Sequence, residues 1–198
     1  MMSIDTALDT AGWELVGKET QYQNPHVECN LITIKTPHRQ TPCTWTVVHR
    51  KKGVAIAPIT TDGKLLLVHQ ERIPLQQTLW EFPAGQIDET KTPSSELVID
   101  TCLRELREET GYELPKEGEL IPLGYFFTSQ GFTDERLFLF AGRGVVPHEQ
   151  GREPDEHEVI HHCKAFTLAE VRQMIINNVI RDGNSLALFA RMSVAGLV

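Results

Sequence analysis

Apolar residues in this chain fall alternately into strand-like and helix-like spacing. VECNLITIK and CTWTVVH, within Val27 to Val48, are extended runs on either side of the turn-prone TPHRQTP and predict a hairpin. Lys51-Lys52-Gly53 interrupts the pattern. VAIAPI and KLLLVHQERI then predict a second strand pair around TTDG, where Asp62-Gly63 is a hairpin signal. Leu79-Trp80-Glu81-Phe82 reads as a short strand stopped by Pro83-Ala84-Gly85. Glu81 alternates with Trp80 there, and periodicity alone points it to solvent.

TPSSELVIDTCLRELREETG is the strongest helix pattern. Thr92 or Ser94 suits its cap, Pro93 its first turn and Gly111 the left-handed position past its end. Ile99, Cys102, Leu103 and Leu106 form a predicted apolar stripe, beside a face carrying Glu105, Glu108 and Glu109 but not overlapping it. Further strands are expected around LIPLGYFF, ERLFLFAGR and VIHHCKAFT, an acidic loop at PHEQGREPDEHE, and helices at TLAEVRQMIINN and SLALFARMSV. The expected fold is α/β in the α+β sense. A mixed β-sheet lies between helices in residues 51–198, preceded by an antiparallel β-layer in residues 1–50.

Composition narrows the function. With 198 residues, 40% of them hydrophobic, the chain can bury a sizeable core. Its net charge of −8 argues against nucleic-acid and anionic-membrane partners, so a phosphate-bearing ligand would need a metal. Acids occupy the first dozen residues, where a signal peptide needs a basic start, and no apolar run approaches the roughly 18 residues of a membrane helix. A cytoplasmic protein is expected. Cys29, Cys43, Cys102 and Cys163 are scattered without a CxxC pair, which fits reduced thiols better than disulfides or a zinc site. His161 and His162 read as a loop or surface pair, because adjacent side chains on a regular element point apart.

RELREETGY raises a physical question. Glu105, Glu108 and Glu109 share one side of a helix, where like charges cost roughly 0.2–0.5 kcal/mol per pair. Arg104 can reach Glu108 and offsets part of this. Either the face is simply solvated, or its oxygens hold a hard cation such as Mg²⁺.

Together, Gly85, Glu96 and Arg104-Glu105-Leu106-x-Glu108-Glu109-x-Gly111-Tyr112 resemble the Nudix box, G-x5-E-x7-R-E-U-x-E-E-x-G-U with U apolar. Seven residues separate Glu96 from Arg104, as the box requires, but ten and not five separate Gly85 from Glu96, and Lys91 stands at the strict spacing. The loop near Thr90 carries an insertion, or Glu96 holds its place by coincidence. WEFPAGQID, HQERIP, GFTDER and IRDGNSLAL extend the resemblance along nearly the whole chain, to the ADP-ribose and ADP-sugar pyrophosphatases of the Nudix hydrolase superfamily.

The resemblance implies Mg²⁺, with Mn²⁺ a possible substitute, held by the Ala84 carbonyl, Glu105, Glu109 and Glu108. It implies that Glu135 is the general base, that Arg104 orients a catalytic glutamate, and that Gln70 and Glu96 have supporting places. Substrate contacts fall to Trp45 on the adenine, Arg50 and Arg72 on phosphate or ribose, and Glu81 on the nucleotide. TWTVVHR resembles the layer through which such enzymes form swapped homodimers. The implied reaction is metal-dependent hydrolysis of a nucleoside diphosphate sugar, foremost ADP-ribose to AMP and ribose 5-phosphate. Ser129-Gln130-Gly131 departs from the family's usual Ser-Pro-Gly, so other nucleoside diphosphate sugars stay open, as does a non-catalytic nucleotide sensor.

Overall fold

Two sheets carry the chain in the computed structural model, which describes residues 4, 6–88, 92–153 and 158–198. The first is antiparallel and comprises β1 (Glu14–Gln23), β2 (Val27–Thr36) and β3 (Arg39–Arg50). The second begins with β4 (Gly53–Thr60), β5 (Leu65–Arg72), β6 (Gln77–Glu81) and β7 (Ala84–Gln86). After helix α1 (Ser95–Thr110) come β8 (Tyr112–Glu113), β9 (Glu119–Phe127), β10 (Arg136–Pro147) and β11 (Ile160–Phe166). Helices α2 (Leu168–Ile176) and α3 (Gly183–Val194) close the chain. The strand order is β11-β5-β4-β10-β8, with β6 on β5, β7 on β4 and β9 on β10.

β4 lies at the centre, parallel to β10, and is buried on both faces. That position explains why VAIAPI is continuously apolar instead of alternating. Val54 and Ile56 join Leu66, Phe138 and Phe140 against Val98, Cys102 and Leu106 of α1. Ala55 and Ala57 face the other way, with Leu65, Leu67, Leu139 and Ala141, against Val171, Leu188 and Met192 of α2 and α3. The mixed sheet is thus held between helices, as the pattern predicts. Among the described residues no helix is long and apolar enough to cross a membrane.

Two readings of α1 need correction. Pro93 precedes the helix, because Ser94 is the cap and accepts the Leu97 N–H at 3.1 Å. The buried side of α1 runs through Val98, Cys102, Glu105, Leu106 and Glu109, so the carboxylate face overlaps the apolar stripe. β1 carried no apolar alternation and is almost wholly exposed; pairing with β2 alone makes it a strand. At the helix end Gly111 takes φ 73° as expected, and its N–H donates to the Arg107 carbonyl at 2.8 Å.

Ser185, on the first turn of α3, joins the helix layer to the segment leading into β7. Its hydroxyl accepts the buried Phe82 N–H at 2.9 Å. Ser185→Ala leaves that donor unpaired and should lower unfolding free energy by about 1–3 kcal/mol. Urea denaturation followed by circular dichroism checks this, and an unchanged midpoint would show that the bond does not hold the segment.

Candidate active site

Residues of α1 meet the β6–β7 segment at one point. Glu105 and Glu109, one helical turn apart, are 5% and 0% exposed. Gly85 makes the approach possible, since a Cβ there would lie 1.9 Å from the Glu105 carboxyl carbon. The Ala84 N–H donates to Glu109 Oε2 at 3.0 Å, while Oε1 is buried with no hydrogen-bond partner among the described residues. Glu158 completes the group: one carboxylate oxygen from each of Glu105, Glu109 and Glu158 lies within 4.8 Å of the others.

Three carboxylates converging on one point suit a hard divalent ion. A buried oxygen without a partner and a cradle that any side chain on Gly85 would fill both fit one. Glu108 stands outside the trio and is bound by Arg104, Nη1 to Oε2 at 2.6 Å. Arg104 also donates from Nη2 to Glu105 Oε1 at 2.6 Å, so it spans the helix face and neutralises part of it. The sequence pattern gave no sign of Glu158, which arrives from the far side of the acidic loop. Thr90 and Lys91, at the spacing irregularity, lie outside the described residues.

A cavity of about 500 Å³ opens beside the cluster, lined by Arg50, Arg72, Glu81, Ala84, Gly85, Glu135, Glu158 and Asp182 among others. Glu81 does not face solvent; it is 3% exposed and receives Arg72 Nε at 3.0 Å and 3.1 Å on its two oxygens. Burial opposes the Arg72 charge, but Glu81 outweighs it and raises the pKa. Glu135 accepts the Thr128 hydroxyl at 2.7 Å and lies 3.4 Å from Arg50 Nη1. Trp45 is placed elsewhere. It donates from Nε1 to the Gly131 carbonyl at 3.1 Å and lines an apolar groove with Leu8, Trp13, Phe127 and Phe132.

Burial pushes the Glu105 carboxyl up to about 7, Arg104 opposing and Glu158 and Glu108 adding to it. Burial, then Glu158 and Glu105, holds Glu109 well above the carboxylate range despite the Ala84 N–H and Arg72.

The NUDIX domain family model matches residues 49–189. An ADP-ribose pyrophosphatase of Bacillus subtilis (strain 168) is 33% identical over 139 residues, 70% of each chain. A methanol dehydrogenase activator of Bacillus methanolicus is 33% identical over 160 residues, 81% of each chain. The solved structure of an ADP compounds hydrolase superposes with a TM-score of 0.73 at 16% identity, covering 97% of this chain and all of its own; at that identity the likeness concerns the fold.

The raised Glu105 pKa sets a pH dependence. The folded protein holds this proton more tightly than the unfolded chain, whose ordinary value is 4.5, so the group's contribution to stability falls as pH rises from 4.5 to about 7. A cation needs the deprotonated form and offsets that loss. The rise in melting temperature on adding Mg²⁺ should therefore be larger near about pH 8 than near about pH 5. Equal rises would contradict the buried-carboxylate site.

Proposed function

This chain belongs to the Nudix family, and we propose that it hydrolyses the pyrophosphate bond of a nucleoside diphosphate sugar, foremost ADP-ribose to AMP and ribose 5-phosphate. The observation that carries this reading is the trio Glu105, Glu109 and Glu158, closed against Gly85 at the edge of a cavity that also holds Arg50 and Arg72. The names of the relatives from B. subtilis and Mycobacterium tuberculosis (strain ATCC 25618 / H37Rv), both ADP-ribose pyrophosphatase, support the choice of substrate.

Mg²⁺, or Mn²⁺ in its place, would be held by Glu105, Glu109, Glu158 and the Ala84 carbonyl, with Glu108 in reserve on the outer side. When bound, the ion supplies charge neutralisation at the pyrophosphate and polarisation of the attacking water. Arg104 keeps Glu105 oriented toward the cluster through its 2.6 Å bond. Arg72 spends Nε and Nη2 on Glu81, which fixes the plane of the guanidinium and leaves Nη1 for a substrate oxygen.

Glu135 is the proposed general base. In the resting arrangement Thr128 and Arg50 engage it, and a phosphate that draws Arg50 away would release one of its oxygens. Residues 1–50 serve as a dimerisation layer in this reading. Trp13, Trp45 and Phe132 each expose more than half their surface around one groove, so a second copy would cover them and bring Trp45 to the partner's adenine. A cytoplasmic setting fits four free cysteines.

Incubating the protein with Mg²⁺ and a panel of ADP-ribose, other nucleoside diphosphate sugars and NADH, with products separated by chromatography, tests the reading. AMP and ribose 5-phosphate should form fastest. Glu109→Gln should lower kcat by a factor on the order of 10² or more, and Glu135→Gln should lower kcat while leaving KM nearly unchanged. No hydrolysis of any compound would leave a nucleotide-binding protein without catalysis; wild-type turnover in the Glu109 variant would remove the cluster from the chemistry.

Light scattering at micromolar concentration should give twice the chain mass. Trp45→Ala should raise KM for ADP-ribose if the ring stacks on the base. A fully active monomer would exclude the shared site.

A further inference from the structure

The cavity beside the carboxylates crosses several strands, and hydrolysis of a pyrophosphate uses only part of it. Its lining runs from Thr128 and Glu135 beside β10, past Ala84 and Gly85 of β7 where the carboxylates converge, to Arg72 of β5 and Glu81 of β6. Beyond Arg72 the cavity ends between Leu75, in the turn Ile73–Leu75, and Asp182 and Asn184 at the start of α3. Both belong to IRDGNSLAL, a stretch to which the proposed reaction gives no role. The two sides of this end are tied together: Arg181 Nη2 donates to Gln77 Oε1, and the Ser185 hydroxyl accepts the Phe82 N–H at 2.9 Å.

We propose that Leu75, Asp182 and Asn184 form the subsite for the sugar of the nucleoside diphosphate sugar, with the two polar side chains reading its hydroxyls. This rests on the function proposed above. Charge argues for a neutral group at this end. Among the residues that line it, two acids, Glu81 and Asp182, stand against one base, Arg72, which already gives Nε and Nη2 to Glu81. A further phosphate here would meet more like charge than opposite charge.

Asp182 is short of a donor. Its Oδ2 accepts the Ser185 N–H at 2.8 Å, whereas Oδ1 is buried with no hydrogen-bond partner among the described residues. Burial, then Glu81, raises the pKa of this carboxyl, with Ser185 opposing. A sugar hydroxyl brings a hydrogen to donate; an ionised phosphate brings none. Asn184 is half-buried on the cavity wall, and its side-chain amide makes no hydrogen bond among the described residues, which leaves both a donor and an acceptor for a ligand. Leu75, 56% exposed, adds an apolar edge on which the C–H face of a sugar ring can pack. A few placed polar groups beside an apolar wall are the usual make-up of a small-molecule site.

The test is steady-state kinetics of the whole protein with Mg²⁺, taking ADP-ribose as substrate and ADP, which has the nucleotide and both phosphates but no sugar, as competitive inhibitor. Asn184→Ala removes the amide. Asp182→Asn keeps an oxygen to cap Ser185 and puts an amide donor in place of the free acceptor, so α3 still starts there. Each variant should lower kcat/KM for ADP-ribose by at least roughly tenfold, while the inhibition constant of ADP stays within about twofold of the wild-type value. An unchanged kcat/KM in either variant overturns the inference, and so does an equal weakening of ADP, which would put these residues on the nucleotide. Wild-type protein that leaves ADP-ribose intact removes the proposed function and this inference with it; wild-type turnover with an unaffected variant removes this inference alone.

Discussion

Glu105 and Glu109 sit one turn apart on the inner side of α1 with almost no access to water, and much of the fold is arranged to make two such carboxylates tolerable. A buried charge without compensation costs far more than a surface one. Arg104 compensates from outside the helix and the Ala84 N–H from inside, while Glu158 adds a third acid to the same point. Burial first, and then the neighbouring acids, raises the pKa of both residues. Rigid packing holds the cluster together: α1 is anchored by Val98, Cys102 and Leu106 against a strand that is itself clamped from its other face. The Gly85 backbone then occupies space that a side chain would have kept from the carboxylates.

Arg50, the last residue of β3, brings the N-terminal sheet to the pocket beside the cluster. β3 meets the loop before β10 through a series of polar contacts: Trp45 with the Gly131 carbonyl, the Val48 N–H with the Phe132 carbonyl at 3.0 Å, and His49 Nδ1 with Asp134 Oδ2 at 2.7 Å. Arg50 and Glu135 continue the series into the cavity. The sheet is therefore docked on this loop by hydrogen bonds and an ion pair. The same contacts set where Glu135 stands, so changes in the sheet reach the pocket through neighbouring residues and need no longer path.

Much of this was legible in the sequence because local signals agreed with the fold. Ser94 and Gly111 mark the ends of α1, and VAIAPI announces a strand with no solvent face. What stayed hidden depended on distant partners. Periodicity assigns Glu105 and Glu109 to a solvated face because it cannot know that the neighbour is a glycine backbone with room for oxygen. It sends Glu81 outward for want of Arg72, whose bidentate bond makes burial acceptable. Glu158 is separated from α1 by nearly fifty residues and belongs to a polar loop with no repeat to betray its direction. β1 has no apolar pattern at all, and a bulge, which sequence does not announce, brings His161 and His162, a surface pair as expected, together beside His69.

If the close approach of Gly85 to the α1 carboxylates makes room for a divalent cation, a side chain at that position must abolish its binding. Mn²⁺ binding to the Gly85→Ala variant, read by the loss of the free-ion signal in electron paramagnetic resonance, tests it most directly. The account predicts tight binding by the wild-type protein and its loss in the variant, whose far-ultraviolet circular dichroism stays that of the wild type. Wild-type Mn²⁺ affinity in a folded Gly85→Ala protein would contradict it.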